Sequence, residues 1–94
     1  MNEEMIHASN YLEAALGHMR DREETYDSPG GERSMSKTVA MFNALYSQNI
    51  TEEMGWAFMC ILKLVRSSQG AFRSDNYEDL AAYAGLMGES AAMA

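Results

Sequence analysis

Thr51-Glu-Glu-Met-Gly-Trp-Ala-Phe-Met-Cys-Ile-Leu-Lys-Leu-Val-Arg66, followed after a short loop by Ser74-Asp-Asn-Tyr-Glu-Asp-Leu-Ala-Ala-Tyr83, decides the fold. Thr51 is a good N-cap, and Glu52 and Glu53 suit the positive end of a helix dipole. Apolar residues recur at three- and four-residue steps from Met54 to Val65, which predicts a helix over about 52–67. Met54, Ala57, Phe58, Ile61, Leu64 and Val65 make one wide stripe, while Trp56, Met59, Cys60 and Lys63 lie around the other side. A helix apolar nearly all round is buried on more than one side. This helix is therefore expected at the centre, with other helices and a second copy of the chain packed on it. The second segment is predicted as a helix from near Asp75, with Asp75 and Glu78 at capping-box spacing.

Upstream, Met35, Val39, Phe42 and Leu45 or Tyr46 give the inner face of a helix over about 35–47, with Ser34 as its cap. Before it, Thr25-Tyr-Asp-Ser-Pro-Gly-Gly-Glu32 is the clearest break, because Pro29, Gly30 and Gly31 do not continue a helix and Asp27-Ser28-Pro29 favours a turn. The first helix is expected over about 2–24, capped by Asn2, with Met5, Ala8, Leu12, Ala15 or Leu16 and Met19 as its stripe. Small residues at Gly17, Ala82, Gly85 and Gly88 are expected where helices approach closely, and residues 89–94 are expected to fray. No long alternating run supports a strand. The reading is all-α: a single domain over 1–94, a bundle of four helices whose short loops favour antiparallel neighbours.

Composition narrows the partners. The chain has 94 residues, 47% of them apolar, which suits one folded domain. Its formal charge is −7, the wrong sign for nucleic acid or an anionic membrane as main partner. A small phosphorylated ligand needs only two or three local cations and stays open. No apolar run reaches the ~18 residues of a membrane span. Met1-Asn-Glu-Glu4 lacks the basic start of a signal peptide, and the lone Cys60 has no internal disulfide partner, so a reducing cytoplasm is expected. His7 and His18, about three turns apart, do not share a metal ion; each is expected to face solvent. The nine Met residues fill irregular core gaps or form an adaptable interface.

Two charge sets carry the candidate chemistry. Gly30-Gly-Glu-Arg-Ser-Met-Ser-Lys37 leads from a turn into a helix start, where free amides attract anions and Arg33, Ser34 and Lys37 can add to them. It lacks Walker A spacing. In the 51–83 hairpin, Lys63 and Arg66 sit one turn apart near the end of one helix, and Asp75 and Asp79 one turn apart at the start of the next. Antiparallel packing sets Arg66 level with Asp75 and Lys63 level with Asp79. Either the four form a structural clasp, or the cations hold phosphate while Asp75 and Asp79 hold Mg²⁺.

Tyr26-Asp-Ser-Pro29, Ile50-Thr-Glu-Glu-Met-Gly-Trp56, Leu62-Lys-Leu-Val-Arg66 and Asp75-Asn-Tyr-Glu-Asp-Leu-Ala-Ala-Tyr83 resemble a small domain family of unknown function from tailed-phage and prophage genomes. Its pattern is Tyr-Gly-x-Pro, Ile-Thr, Leu-Lys-x-x-Arg, then Asp-Asn-x-x-Asp-x-Ala-x-Tyr; here Asp27 replaces the Gly. The resemblance implies a phage origin, hence a host cytoplasm, and no set activity; it brings Tyr26 into the candidate ligand residues. A more distant similarity is to the MazG-like all-α nucleotide pyrophosphohydrolases, which hold Mg²⁺ through paired acids on neighbouring helices. Asp75, Glu78 and Asp79 match one such pair, and the second is incomplete. Two readings follow: a protein that binds or hydrolyses a nucleotide, or a phage accessory protein that acts by binding another protein. No catalytic residue is assigned.

Overall fold

The computed structural model describes residues 7–26 and 33–94. Four helices follow in order: α1 Ala8–Tyr26, α2 Ser34–Tyr46, α3 Glu52–Ser67 and α4 Ser74–Met93. No described residue is in a strand. Asn2 and Met5, expected in the first helix, and the Asp27–Gly31 turn lie outside the described residues.

α3 begins as its sequence requires. The Thr51 hydroxyl accepts from the Met54 N–H at 3.1 Å, satisfying one of the donors a helix start leaves free. The other starts differ from expectation. Arg33 and Arg73 occupy the cap positions of α2 and α4, and neither makes a side-chain cap bond. Ser34 and Asp75 are already helical, so neither is the cap. At the entry to α1, Asn10 Oδ1 instead accepts from the His7 N–H at 3.2 Å. α4 runs through to Met93, so most of the 89–94 tail expected to fray is helical.

α3 and α4 form an antiparallel hairpin about Gly70, whose φ of +71° is a left-handed conformation that glycine adopts without steric cost. The pairs Lys63–Asp79 and Glu52–Ser90 share one sum of residue numbers, which fixes the register from end to end. Trp56, Cys60, Tyr83 and Leu86 make the core between these helices, and Met19, Met35, Met59 and Met87 pack against it. Several methionines thus fill gaps around a small core. α1 lies on α4 and runs parallel to it, since His18 meets Glu78 and Arg22 meets Tyr83. His18 is therefore paired as well as partly open to solvent, its side chain 44% exposed.

α2 crosses the first turns of α3. A Cβ built on Gly55 would lie 2.5 Å from Met35 Sδ and 2.9 Å from Val39 Cγ1. The close crossing is here; Gly17, Gly85 and Gly88, expected to serve that purpose, have nothing within 4 Å of an added Cβ. Asn43 holds the following connector by two 3.0 Å bonds, accepting from the Ile50 N–H and donating to the Ile50 carbonyl. Ser47 ends α2 in the left-handed region, φ 54°.

α3 is half of the central hairpin, but it is not buried on more than one side as expected, since α1 packs on α4, and its two faces are reversed in importance. Trp56, Cys60 and Lys63 are buried, while Met54, Phe58, Ile61, Leu64 and Val65 are exposed. Leu12 and Leu16 of α1, and Phe42, Leu45 and Tyr46 of α2, are also exposed. No described helix is long and apolar enough to cross a membrane.

Candidate functional site

The hairpin turn builds a polar cup of about 300 Å³, lined by Lys63, Arg66, Gln69, Arg73, Asp75 and Asn76. α3 delivers Lys63 and Arg66 one turn apart, and the first turn of α4 delivers Asp75 and Asn76 beside them. Within the cup the charges are unequally satisfied. Lys63 Nζ reaches Asp79 Oδ2 at 2.9 Å, with both side chains largely buried. Arg73 holds Asp75 through bonds of 3.2 and 3.4 Å in solvent. The Arg73 hydrogen bond keeps the Asp75 carboxyl below the usual carboxylate range, with Coulomb attraction to Arg73 and Lys63 adding to it. Arg66 is exposed and forms no ion pair with a described residue.

Asn76 is the unusual member. It is 7% exposed, and its side-chain amide makes no hydrogen bond to any described residue. Buried amides are nearly always partnered, because leaving one unmade costs about 1–3 kcal/mol. Here the amide sits at the wall of a cup that also presents an unpaired guanidinium. That combination offers N–H donors of the kind that suit an anionic group bearing several acceptor oxygens.

The eight residues singled out from the sequence separate into four places. Lys63, Arg66 and Asp75 line the cup, and Asp79 lies behind it on Lys63. Arg33 is at the far end of the hairpin, 3.4 Å from Glu52, whose carboxylate also accepts from Ser90 Oγ at 3.3 Å. Ser34 opens α2, and its carbonyl accepts from Thr38 Oγ1 at 2.9 Å. Lys37 is exposed on α2 beside Met41 and Phe42. Tyr26 ends α1, and its side chain lies outside the described residues. The Arg33–Lys37 set therefore does not converge with the hairpin cations. Arg66 and Asp75 share the cup without pairing, because Arg73, two residues away, takes the carboxylate. Both acids proposed for Mg²⁺ are engaged by cations, and no cluster of three or more His, Cys, Asp or Glu forms among the described residues.

Sequence reasoning missed Gln69, Arg73 and Asn76. Asn76 stands in the quoted Asp-Asn motif and is one turn before Leu80, a spacing that puts it on the inward side of α4. It also missed the layer between α1 and α4. His18 Nε2 is 2.8 Å from Glu78 Oε1, and the Arg22 guanidinium stands 5.0 Å over the Tyr83 ring. Tyr83 in turn stacks on Trp56 at 5.7 Å, so one cation–aromatic column ties all three helices. Cys60 is buried beneath it, and burial pushes its thiol up, away from the reactive thiolate.

The match to a known family spans residues 10–91, from α1 almost to the end of α4. The chain belongs to the domain of unknown function DUF6378. The family thus takes in the whole hairpin, the cup and the α1–α4 layer. No curated protein and no solved structure matches the chain.

Proposed function

We propose that the chain binds a small phosphate-bearing anion, a nucleotide or a simpler phosphate ester, in the cup at the α3–α4 turn. The observation that carries this reading is Asn76, a buried amide with no partner among the described residues, beside Arg66, which has no ion pair among them. An anion's oxygens would accept from both, and Lys63 would add field from beneath. The Lys63–Asp79 bridge then has a second role as a clasp that holds the floor of the cup in register. Asp75 and Asp79 are held by Arg73 and Lys63, which supports binding and sequestration ahead of MazG-like hydrolysis through Mg²⁺.

The test is calorimetry and thermal shift with inorganic phosphate, pyrophosphate and nucleoside triphosphates, with and without Mg²⁺. At a hundredfold excess over Kd, binding stabilises by about 2.7 kcal/mol, a rise of roughly 10 °C or more in a domain of this size. Arg66→Ala, a change at an exposed position, should abolish the shift, and Asn76→Ala should weaken it. Arg20→Ala, a cation on α1, should leave it intact. No stabilisation by any probe at millimolar concentration, together with an Asn76→Leu chain more stable than the natural one, would overturn the proposal. Phosphate release that requires Mg²⁺ and vanishes in Asp75→Asn would replace sequestration with hydrolysis.

A further inference from the structure

The outward stripe of α3 has a spacing that a solvated face does not need. Met54, Phe58, Ile61 and Val65 follow at steps of four, three and four residues, which is the a/d seam of a helix that pairs with another helix. Leu64 widens the seam, and Phe42 of α2 adjoins it across a groove of about 510 Å³ that Met54 and Phe58 also line. Exposure of these six runs from 41% at Phe42 to 70% at Phe58. At about 200 Å² for a whole large side chain, they leave about 640 Å² of apolar surface in solvent. Monomers rarely keep a contiguous patch above a few hundred Å². A standard interface covers about 800 Å² per partner, so the seam and its rim supply what one dimer needs.

We propose that α3 pairs through this seam with α3 of a second copy, antiparallel about a two-fold axis near its midpoint. A closed two-fold dimer needs one surface that complements itself. Turning the seam end for end superposes its four-three-four spacing on itself, so Met54 meets Val65 and Phe58 meets Ile61 of the other copy. The antiparallel direction also separates the acidic first turns. Glu52 and Glu53 of one copy come level with Arg66 of the other, whereas a parallel pair would set acid beside acid. The groove beside Phe58 is open along the seam and receives side chains of the second copy. Both cups remain at the ends of the pair, so the proposal stands independently of the ligand.

Sedimentation equilibrium of the full chain at 1–100 µM, with light scattering, tests it. The expected mass is twice 10.5 kDa at the upper concentrations. Phe58→Glu and Ile61→Glu change exposed positions; each should give a chain helical by circular dichroism and at least tenfold weaker in self-association. A natural chain that stays monomeric at 100 µM, or a Phe58→Glu chain that remains fully dimeric, overturns the proposal. For direction, mild oxidation of Met54→Cys/Val65→Cys should give a covalent dimer and Met54→Cys alone should not. Cross-linking by Met54→Cys alone overturns the antiparallel register. Cys60 is buried and does not interfere.

Discussion

Replacing Gly55 by alanine tests the crossing of α2 over α3. The new Cβ would stand 2.5 Å from Met35 Sδ, 2.9 Å from Val39 Cγ1 and 3.0 Å from Met35 Cγ. Carbon atoms in good contact sit about 3.5–4.0 Å apart, so roughly 1 Å must be recovered. The Met35 thioether can swing away, being unbranched and flexible. Val39 cannot, because a β-branched side chain in a helix is held to one rotamer, and it is buried here. α2 itself must therefore back off. Overpacking of this kind costs about 1–3 kcal/mol, against which alanine returns about 1 kcal/mol of helix propensity over glycine. The reference is Gly85→Ala, a helical site with open space, where only the propensity gain applies. Gly55→Ala should thus be less stable than Gly85→Ala by about 1–3 kcal/mol. Urea denaturation followed by far-ultraviolet circular dichroism measures this, at one fixed protein concentration because self-association would shift the midpoint. In a Val39→Ala background the penalty should shrink, since the two sites share the contact. Equal midpoints for Gly55→Ala and Gly85→Ala would refute the seating of α2 at this point.

Two further outcomes follow from the charges. Asp79→Asn strands a largely buried ammonium and should destabilise by about 2–3 kcal/mol, below the full cost of breaking a buried pair because the carboxylate is partly exposed. Lys63→Met/Asp79→Leu should recover most of that loss in the same urea assay, and a double variant as unstable as Asp79→Asn would contradict the clasp. The Asp75 carboxyl is lowered in the fold, so its pairing stabilises above the unfolded value of about 3.9 and is lost as pH falls through the folded value. Arg73→Ala should accordingly raise the Asp75 titration midpoint by NMR. It should also lower the urea midpoint at neutral pH and make no difference well below the Asp75 value; a pH-independent difference would contradict the pairing.

Much of the candidate site was legible because helical spacing is a local property. Lys63 and Asp79 pair at the register that antiparallel packing implies, and Lys63, Arg66 and Asp75 share one cup. Arg73 was not legible as the partner of Asp75, because its side chain folds back across only two residues in a loop with no period. Asn76 was hidden for another reason. A polar residue at an inward position carries no sequence mark of whether protein, water or ligand satisfies it.

The sequence by itself determined four helices, the Thr51 cap, the bounds of α3 and the hairpin register. These depend on side-chain period, on cap chemistry and on the matched heights of charges along two helices. Tertiary structure alone decided which face of α3 looks inward. α3 is apolar nearly all round, so hydrophobicity cannot choose between Trp56, Cys60 and Lys63 on one side and Met54, Phe58 and Ile61 on the other. The choice falls to what α4 can offer. Tyr83 stacks on Trp56, Asp79 neutralises Lys63, and Gly55 lets α2 close over the flank. A buried lysine is retained only where its partner is already in place, and that fixes the rotation of α3 and leaves its longer apolar stripe facing outward.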